Sequence, residues 1–428
     1  MNEEDRSRLE EFRQFRKEVR GSAEYLLVGI DVAKDKHHAF FGTATGKTLF
    51  RRLVFDNSLR GFESLLNQVR ALSVQHGLSK VVFGLEPTAN YHKPLGEHLI
   101  RCGYLVVFVS GVAVVRNREL LDGRWDKHDD KDAANVADLV SQGKCLFYEY
   151  PEMALRDLRN LLSLKRRFKK QEHGHRVRIR NHLVAQYFPE LDRYYEQSEK
   201  VGLAIVRWGL DPAGIAGLEY DQFVSLVAPG KARGPQGNRL HAIWKLAVDS
   251  VGCEVGPGVE FEAKVMVEGL RQIRENLQAI DEKIQQICFQ FPAYEFLLSI
   301  PGFGPDVSSK VLGAIGDPFR FQNGKQVLKM AGYDLSADRS GKTSNTAAPV
   351  ISKKGKADLR YALYQAALIA SIRNPRFMVY FTNKLQGRAQ EPGIKTKMRV
   401  KLAAKLLIIA WTLMKKKEPF NPDSLVLQ

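Results

Sequence analysis

Apolar runs with a period near two fill the first third of the chain. Tyr25-Leu26-Leu27-Val28-Gly29-Ile30-Asp31 is apolar almost throughout and closes on a carboxylate, which predicts a buried strand. His38–Gly42, a Thr45-Gly46 turn and Thr48–Phe55 follow as the rest of a three-strand meander. Asp56-Asn57-Ser58 then caps a helix that carries Leu59, Phe62, Leu65, Leu66 and Val69 on one face. Lys80–Glu86 is a second apolar strand ending in a carboxylate, and Pro87 closes it. A helix through Leu95–Ile100, a strand at Tyr104–Val109 and helices at Val112–Leu121 and Lys131–Ser141 complete the region. The order β-β-β-α-β-α-β predicts an α/β domain with a mixed sheet over residues 25–150, behind a charged leader, residues 1–24, read as a solvated helix.

From Pro151 the period lengthens to that of a helix. Leu155, Leu158, Leu161, Leu162 and Phe168 form an apolar stripe. Met266, Leu270, Ile273, Leu277, Ile280, Ile284 and Ile287 step by alternating fours and threes, an uninterrupted a/d seam. Such a seam needs a partner helix, either the 155–183 stretch of the same chain or a second subunit. Between them, residues 189–258 alternate helical patches (Val201–Trp208, Leu240–Val251) with Gly/Pro-rich links. We therefore read 151–290 as coiled-coil helices with an inserted helical segment, and 291–428 as a mostly α domain. In that last domain Gly302 and Gly304 mark a turn between helices, and further helices fall at Leu359–Ile372 and Thr396–Met414.

Charge changes the picture. The chain carries a formal +17 with a pI near 9.6, which points to a polyanionic partner, nucleic acid first. A membrane lacks support, since no apolar run reaches about 18 residues and the longest, Leu402–Met414, is broken by Lys405. Cys102, Cys145, Cys253 and Cys288 form no CxxC pair, which suits a reducing cytoplasm. Ten bases crowd residues 156–180, among them Arg166, Arg167, Lys169, Lys170, Arg176, Arg178 and Arg180. A basic run is often a solvated face, but in a chain of this charge a phosphate-binding helix is the better reading. The basic stretch Lys231–Arg239 could touch nucleic acid or be a surface loop. His173 and His175 have no partner ligands at a zinc-finger spacing. Gly302-x-Gly304 is no dinucleotide fingerprint, because helix rather than strand precedes it. Its amides could hold a DNA phosphate as in a helix-hairpin-helix, and a plain αα-turn is the competing reading. Gly341-Lys342-Thr343 imitates the end of a phosphate loop, but Ser336 stands where the first glycine belongs.

The acidic residues carry the chemistry. Asp31 and Glu86 each end an apolar strand; Lys34, Lys36 and His37 offer Asp31 an ordinary ion pair. Asp129 and Asp132, three apart, share a face of a starting helix, where capping is the simple explanation. Taken together, neighbouring strand ends and a helix across them can gather all four. Four like charges stay ionised at one site only with cations, naturally Mg2+ or Mn2+, and two such ions suit phosphoryl transfer.

The motifs Gly29-Ile30-Asp31-Val32-Ala33-Lys34, Gly84-Leu85-Glu86-Pro87-Thr88 and Lys127-His128-Asp129-Asp130-Lys131-Asp132-Ala133 resemble the DEDD motifs of IS110-type transposases. Downstream, Gly302–Gly304, Ala331-Gly332-Tyr333, Ser340-Gly341, Ile351-Ser352-Lys353-Lys354-Gly355 and Leu359-Arg360 look like that family's C-terminal transposase domain. The resemblance implies an RNase H/RuvC-like fold whose metal-binding carboxylates are Asp31, Glu86, Asp129 and Asp132. It implies a serine nucleophile, matched by Ser340 with Ser344 as the alternative, and a covalent phosphoserine link to DNA. Arg339, Lys342, Lys353 and Lys354 would stabilise phosphate charge. It further implies donor and target DNA, a structured bridge RNA as guide, an oligomerising coiled coil giving a homo-dimer or homo-tetramer, and a joint active site of the acidic cluster with Ser340. A bacterial, nucleoid-associated cytoplasmic location follows from the same resemblance. The competing functions are a RuvC-like metal-dependent structure-specific endonuclease, a site-specific DNA invertase of the pilin-inverting type, and a basic architectural DNA-binding protein.

Overall fold

The structure, a computed structural model, describes residues 14–122, 129–148, 150–197, 199–208, 210–228, 234–336 and 350–424. The chain divides into two compact units, the first running to Glu152 and including Phe319–Asn323, the second comprising Met153–Pro318 and the chain from Gly324.

The first unit is built on a six-stranded mixed sheet. β1 (Tyr25–Asp31), β2 (Lys36–Thr43) and β3 (Thr48–Asp56) form the antiparallel meander. After α1 (Leu59–His76), β4 (Lys80–Leu85) returns parallel to β1. α2 (His92–Arg101) leads to β5 (Leu105–Phe108), parallel to β4. Two helices follow, α3 (Gly111–Asp122) and α4 (Asp129–Ser141), and a two-residue β6 (Leu146–Phe147) closes the sheet, which has the order β3-β2-β1-β4-β5-β6. The predicted helix cap is present: the Ser58 hydroxyl accepts a hydrogen bond from the Gly61 amide at 3.2 Å. β6 is too short to show a period and the sequence reading missed it.

Alternation along β1 sorts its side chains onto two cores, as the period of two requires. Leu26, Val28 and Ile30 pack on one face with Phe62, Leu65 and Leu95 of α1 and α2. Tyr25 and Leu27 face the other way, onto Val136, Leu139 and Val140 of α4. The leader differs from expectation in its last part. Residues 14–19 are helical, and Phe15 and Val19 are buried in the α4-side core. The Phe15 ring lies 5.6 Å from that of Phe147. Two apolar residues among many charges proved enough to dock the segment, because the sheet face offers a matching apolar surface.

The second unit is helical. α5 (Met153–Arg178) runs on into a π-helical segment at Ile179–Val184 and lies antiparallel to α6 (Pro257–Cys288). Lys165–Asp281 (2.6 Å), Arg274–Glu172 (3.3 Å) and Arg178–Glu262 (2.6 Å) mark the antiparallel register. The heptad seam is therefore filled from within the chain. Its centre is as read, with Leu270, Ile273, Leu277, Ile280 and Ile284 buried. At the ends Val267 and Cys288 are buried in place of the half-buried Met266 and Ile287. The segment 189–258, whose role the sequence left open, forms a small helical core. Ile205, Val206, Phe223, Leu240 and Ile243 pack there with Ile179, Leu183 and Leu270.

Beyond α6, α7 (Ala293–Leu298) and α8 (Pro305–Ile315) flank the Gly302–Gly304 turn, and α9 (Gly324–Ala331) precedes a small hairpin, β7 (Leu335–Ser336) with β8 (Val350–Ile351). α10 (Ala357–Arg373), α11 (Pro375–Leu385) and α12 (Ile394–Lys416) complete the unit. Among the described residues no helix is long and apolar enough to cross a membrane, and all four cysteines are free thiols.

Candidate active site

Asp31 and Glu86 stand side by side because their strands are parallel neighbours. Gly29 pairs with Gly84 and Ile30 with Leu85, and the Glu86 amide donates to the Ile30 carbonyl at 3.3 Å just past the ladder. Each carboxylate residue is half-buried, and each follows a glycine by two residues, so it shares that glycine's face of the sheet.

That glycine pair seats α4. A Cβ built on Gly29 would fall 2.1 Å from the Ala133 carbonyl oxygen and 2.5 Å from the Ala137 amide nitrogen. A Cβ on Gly84 would fall 2.7 Å from Val140 and 2.9 Å from Val136 side-chain carbons. Only glycine lets the helix backbone come this close. Ala133 lies over Gly29 while Leu139 and Val140 join the core with Leu27 and Val82, so α4 runs from the carboxylate end of β1 toward its start. Its N-terminal turn, which carries Asp129 and Asp132, is thereby placed toward the strand ends of Asp31 and Glu86.

Asp132 is 2% exposed and forms an ion pair with Arg118 of α3, whose Nη2 donates to Oδ1. α3 also closes on Glu86, since a Cβ on Gly111, its first residue, would fall 2.6 Å from Glu86 Oε1. A buried polar link ties α3 to α4. Asn117 Nδ2 donates to Asn135 Oδ1 at 3.0 Å and to Asp138 Oδ2 at 2.9 Å. Gly111, Asn117 and Arg118 were not singled out in the sequence. Arg118 and Asp132 are fourteen residues apart across an interhelical break, and no local pattern joins them.

The Asp129 side chain is outside the described residues, as are Arg339, Ser340, Lys342 and Ser344. Among the described residues, no group of three or more His, Cys, Asp or Glu side chains is gathered closely enough to hold a metal ion. The described side chains at that end of the sheet that could donate to a cation, Asp31, Glu86 and Asp132, are nonetheless all carboxylates. Gly111 leaves the space that Glu86 occupies, and hard oxygen donors of this kind fit Mg2+ or Mn2+.

In the second unit, β7 and β8, which flank the segment holding Ser340 in sequence, pair antiparallel. The family-like residues at its foot pack against one another. A Cβ on Gly355 would fall 2.5 Å from the Gly332 amide nitrogen, Tyr333 Oη donates to the Arg360 carbonyl at 3.1 Å, and Arg360 Nη1 donates to the Ala331 carbonyl at 2.8 Å. Lys353 takes a left-handed backbone (φ 55°), and both it and Lys354 are exposed beside the hairpin. Gly302 (φ 88°) is pressed against α10, where a Cβ would fall 2.4 Å from the Ala366 carbonyl oxygen; its glycine is explained by packing. Gly304 instead precedes the first turn of α8.

The basic helix α5 is only partly available for phosphates. Arg180 makes a two-pronged pair with Asp192 (2.5 and 3.0 Å), Arg178 pairs with Glu262, Lys169 with Glu172 (2.9 Å) and Arg166 with Asp358 (3.3 Å). Arg167 and Lys170 are exposed, and Arg176 is exposed but engaged. Lys165 is buried between Asp281 and Asp306, both at 2.6 Å. Burial opposes its charge, but those hydrogen bonds outweigh it and hold Lys165 above the ordinary lysine range.

Comparison with known proteins matches residues 28–189 to the DEDD transposases of the IS110 type, and residues 294–382 to the transposases of the IS116/IS110/IS902 family. An uncharacterised protein of insertion element IS116 from Streptomyces clavuligerus is 23% identical over 94% of this chain and 97% of its own length. One of insertion element IS110 from Streptomyces coelicolor is 24% identical over 83% of this chain and 86% of its own. A pilin gene-inverting protein of Moraxella bovis is 29% identical over 36% of this chain and 48% of its own length.

Proposed function

The chain belongs to the IS110 family of transposases and is a DNA recombinase, and from that premise we propose that it cuts and rejoins DNA through metal-bound carboxylates and a serine nucleophile. The observation that carries this reading is the seating of α4 on Gly29 and Gly84, which turns the N-terminal end of that helix toward the adjacent strand ends of Asp31 and Glu86. The strand order β3-β2-β1-β4-β5, antiparallel and then parallel, supports an RNase H/RuvC-like fold for the first unit.

Asp31, Glu86, Asp129 and Asp132 would hold Mg2+ or Mn2+. When bound, the metal supplies Lewis-acid stabilisation of charge on the transferring phosphoryl group. The Ser340 hydroxyl attacks the scissile phosphorus; a Ser Oγ–P bond forms, one backbone P–O bond breaks, and the serine proton leaves as the departing sugar oxygen gains one. Attack by a sugar hydroxyl of the new strand reverses these steps and frees Ser340, so bond energy is conserved and no external energy source is needed. Lys353 and Lys354, with Arg339 and Lys342, neutralise phosphate charge. Arg167 and Lys170 of α5 contact nucleic-acid backbone, and Gly304 offers amides at the α8 N-terminus. A structured bridge RNA specifying donor and target DNA, and a homo-dimer or homo-tetramer, complete the proposal. The net charge of +17 suits two nucleic acids at once.

The test is incubation of the protein with Mg2+, labelled element-end DNA and RNA transcribed from the element's flanks, resolved on a denaturing gel. A DNA–protein adduct lost in both Ser340→Ala and Asp31→Ala is expected. Cleavage without an adduct, indifferent to Ser340, would instead support a RuvC-like endonuclease using water. The similarity to pilin gene-inverting proteins favours a second reading, inversion of a DNA segment, which recombination on a substrate with inverted sites would reveal.

A further inference from the structure

The acidic site contains a cation of its own. Asp132 is 2% exposed, and a carboxylate so far from water requires compensation. Arg118 provides it, with its own side chain 13% exposed. The contact is end-on: Nη2 reaches Oδ1, and Nε is buried without a hydrogen-bond partner among the described residues. A structural arginine–carboxylate pair is better made side-on, with Nε and Nη2 engaging both oxygens, as Arg180 does with Asp192. Arg118 thus holds Asp132 with its Nε unused among the described residues, in a site of low dielectric. The helix that carries Arg118 is the same one whose first residue, Gly111, abuts the Glu86 carboxylate.

We propose that Arg118 is a displaceable counter-ion, which neutralises Asp132 until a divalent cation takes its place. The inference rests on the metal reading above and adds a specific competitor to it. Asp132 cannot hold a guanidinium on one oxygen and a divalent ion on the carboxylate without bringing two cations within a few ångströms in a poorly solvated site, where their repulsion is hardly screened. The entering ion must therefore work against the Arg118–Asp132 contact. Arg118, once released, still lies beside the acidic cluster with its donors open to a DNA phosphate oxygen. Cation loading and a phosphate-seeking arginine are coupled by this exchange, so the site does not present its cation-binding form and its arginine-paired form together.

The experiment measures Mn2+ binding to the full-length protein by calorimetry, without DNA, for wild type, Arg118→Gln and Asp31→Asn, alongside thermal unfolding in EDTA and in Mg2+. Competition predicts at least a tenfold tighter Mn2+ affinity in Arg118→Gln. It also predicts a lower melting temperature in EDTA that Mg2+ restores, because Asp132 then lacks compensation until the ion binds. A second readout uses the wild-type protein alone: phenylglyoxal modification of Arg118, followed by peptide mass spectrometry, should rise when Mg2+ is added. This readout decides the matter even if the variant folds poorly. Equal or weaker Mn2+ affinity in Arg118→Gln, or Arg118 modification indifferent to Mg2+, overturns the exchange; if Asp31→Asn still abolishes binding, the metal reading survives that result. No Mn2+ binding by wild type or by Arg118→Gln removes both.

Discussion

Replacing Gly29 by alanine should separate stability from catalysis in a calculable way. The added Cβ would stand 2.1 Å from the Ala133 carbonyl oxygen and 2.5 Å from the Ala137 amide nitrogen, where ordinary contact begins near 3.4 Å. Both obstacles are helix backbone, so no side-chain rotation relieves them, and α4 must lift by roughly 1.3 Å in a close-packed interior. Overpacking of this sort costs about 1–3 kcal/mol, and the rigid neighbours put Gly29→Ala at the upper end. At about 3 kcal/mol the unfolding transition of the first unit should fall by roughly 6–12 °C. The catalytic effect should be larger than the stability loss suggests. A shift of about 1 Å in catalytic geometry costs on the order of 100-fold in rate, and α4 carries both Asp129 and Asp132. Gly84→Ala is the internal control. Its Cβ comes closest to the side-chain methyls of Val140 (2.7 Å) and Val136 (2.9 Å), with helix backbone no nearer than 3.8 Å. A loss of about 1 kcal/mol is expected, reduced in part by adding Val140→Ala, which removes the nearer of the two clashes. Calorimetric unfolding and DNA cleavage at temperatures below the transition provide the measurements. If Gly29→Ala melts within about 1 °C of wild type and cleaves within about twofold, the seat of α4 on β1, and the carboxylate arrangement derived from it, is wrong.

Three further outcomes follow from particular contacts. Lys165→Ala leaves Asp281 and Asp306 without their shared cation between α5, α6 and α8; as both aspartates are half-exposed, a loss of about 2 kcal/mol is expected by urea denaturation. Lys165→Met, which keeps the stem, should lose nearly as much if charge rather than packing is responsible. Burial holds His37 and His92 below the ordinary imidazole range, so the fold favours their neutral forms. Their contribution is complete above the unfolded value near 6.5 and is lost as pH falls below it. The melting temperature should therefore drop between pH 7 and pH 5, with a shallower slope in His37→Gln; an unchanged slope would refute that role. On α5, Lys170→Ala and Arg167→Ala should weaken nucleic-acid binding and each reduce the salt slope by about one. Arg180→Ala, paired with Asp192, should lower stability with little change in that slope, and filter binding across a salt series distinguishes the two classes.

The sequence by itself determined the local elements and their chemistry. Alternation and glycine turns marked the five main strands, because a half-buried strand must alternate whatever its surroundings. Two carboxylates at strand ends and two at the start of a helix were visible for the same reason, as was the family, whose motifs sit at those positions. The tertiary structure decided what those residues meet. The heptad seam left two partners open, and the fold fills it with α5 of the same chain. The basic run on α5 read as one surface, yet Arg180, Arg178, Lys169 and Arg166 are engaged by acids from both near and remote positions, up to Asp358. Gly302 looked like a phosphate turn and proved to be where α10 closes in. The pairing of Arg118 with Asp132, and the role of Gly29 as the floor beneath α4, depend on two helices crossing a sheet. Periodicity records which face a residue presents; it carries no information about which distant backbone will press against that face, and that contact is what positions the carboxylates.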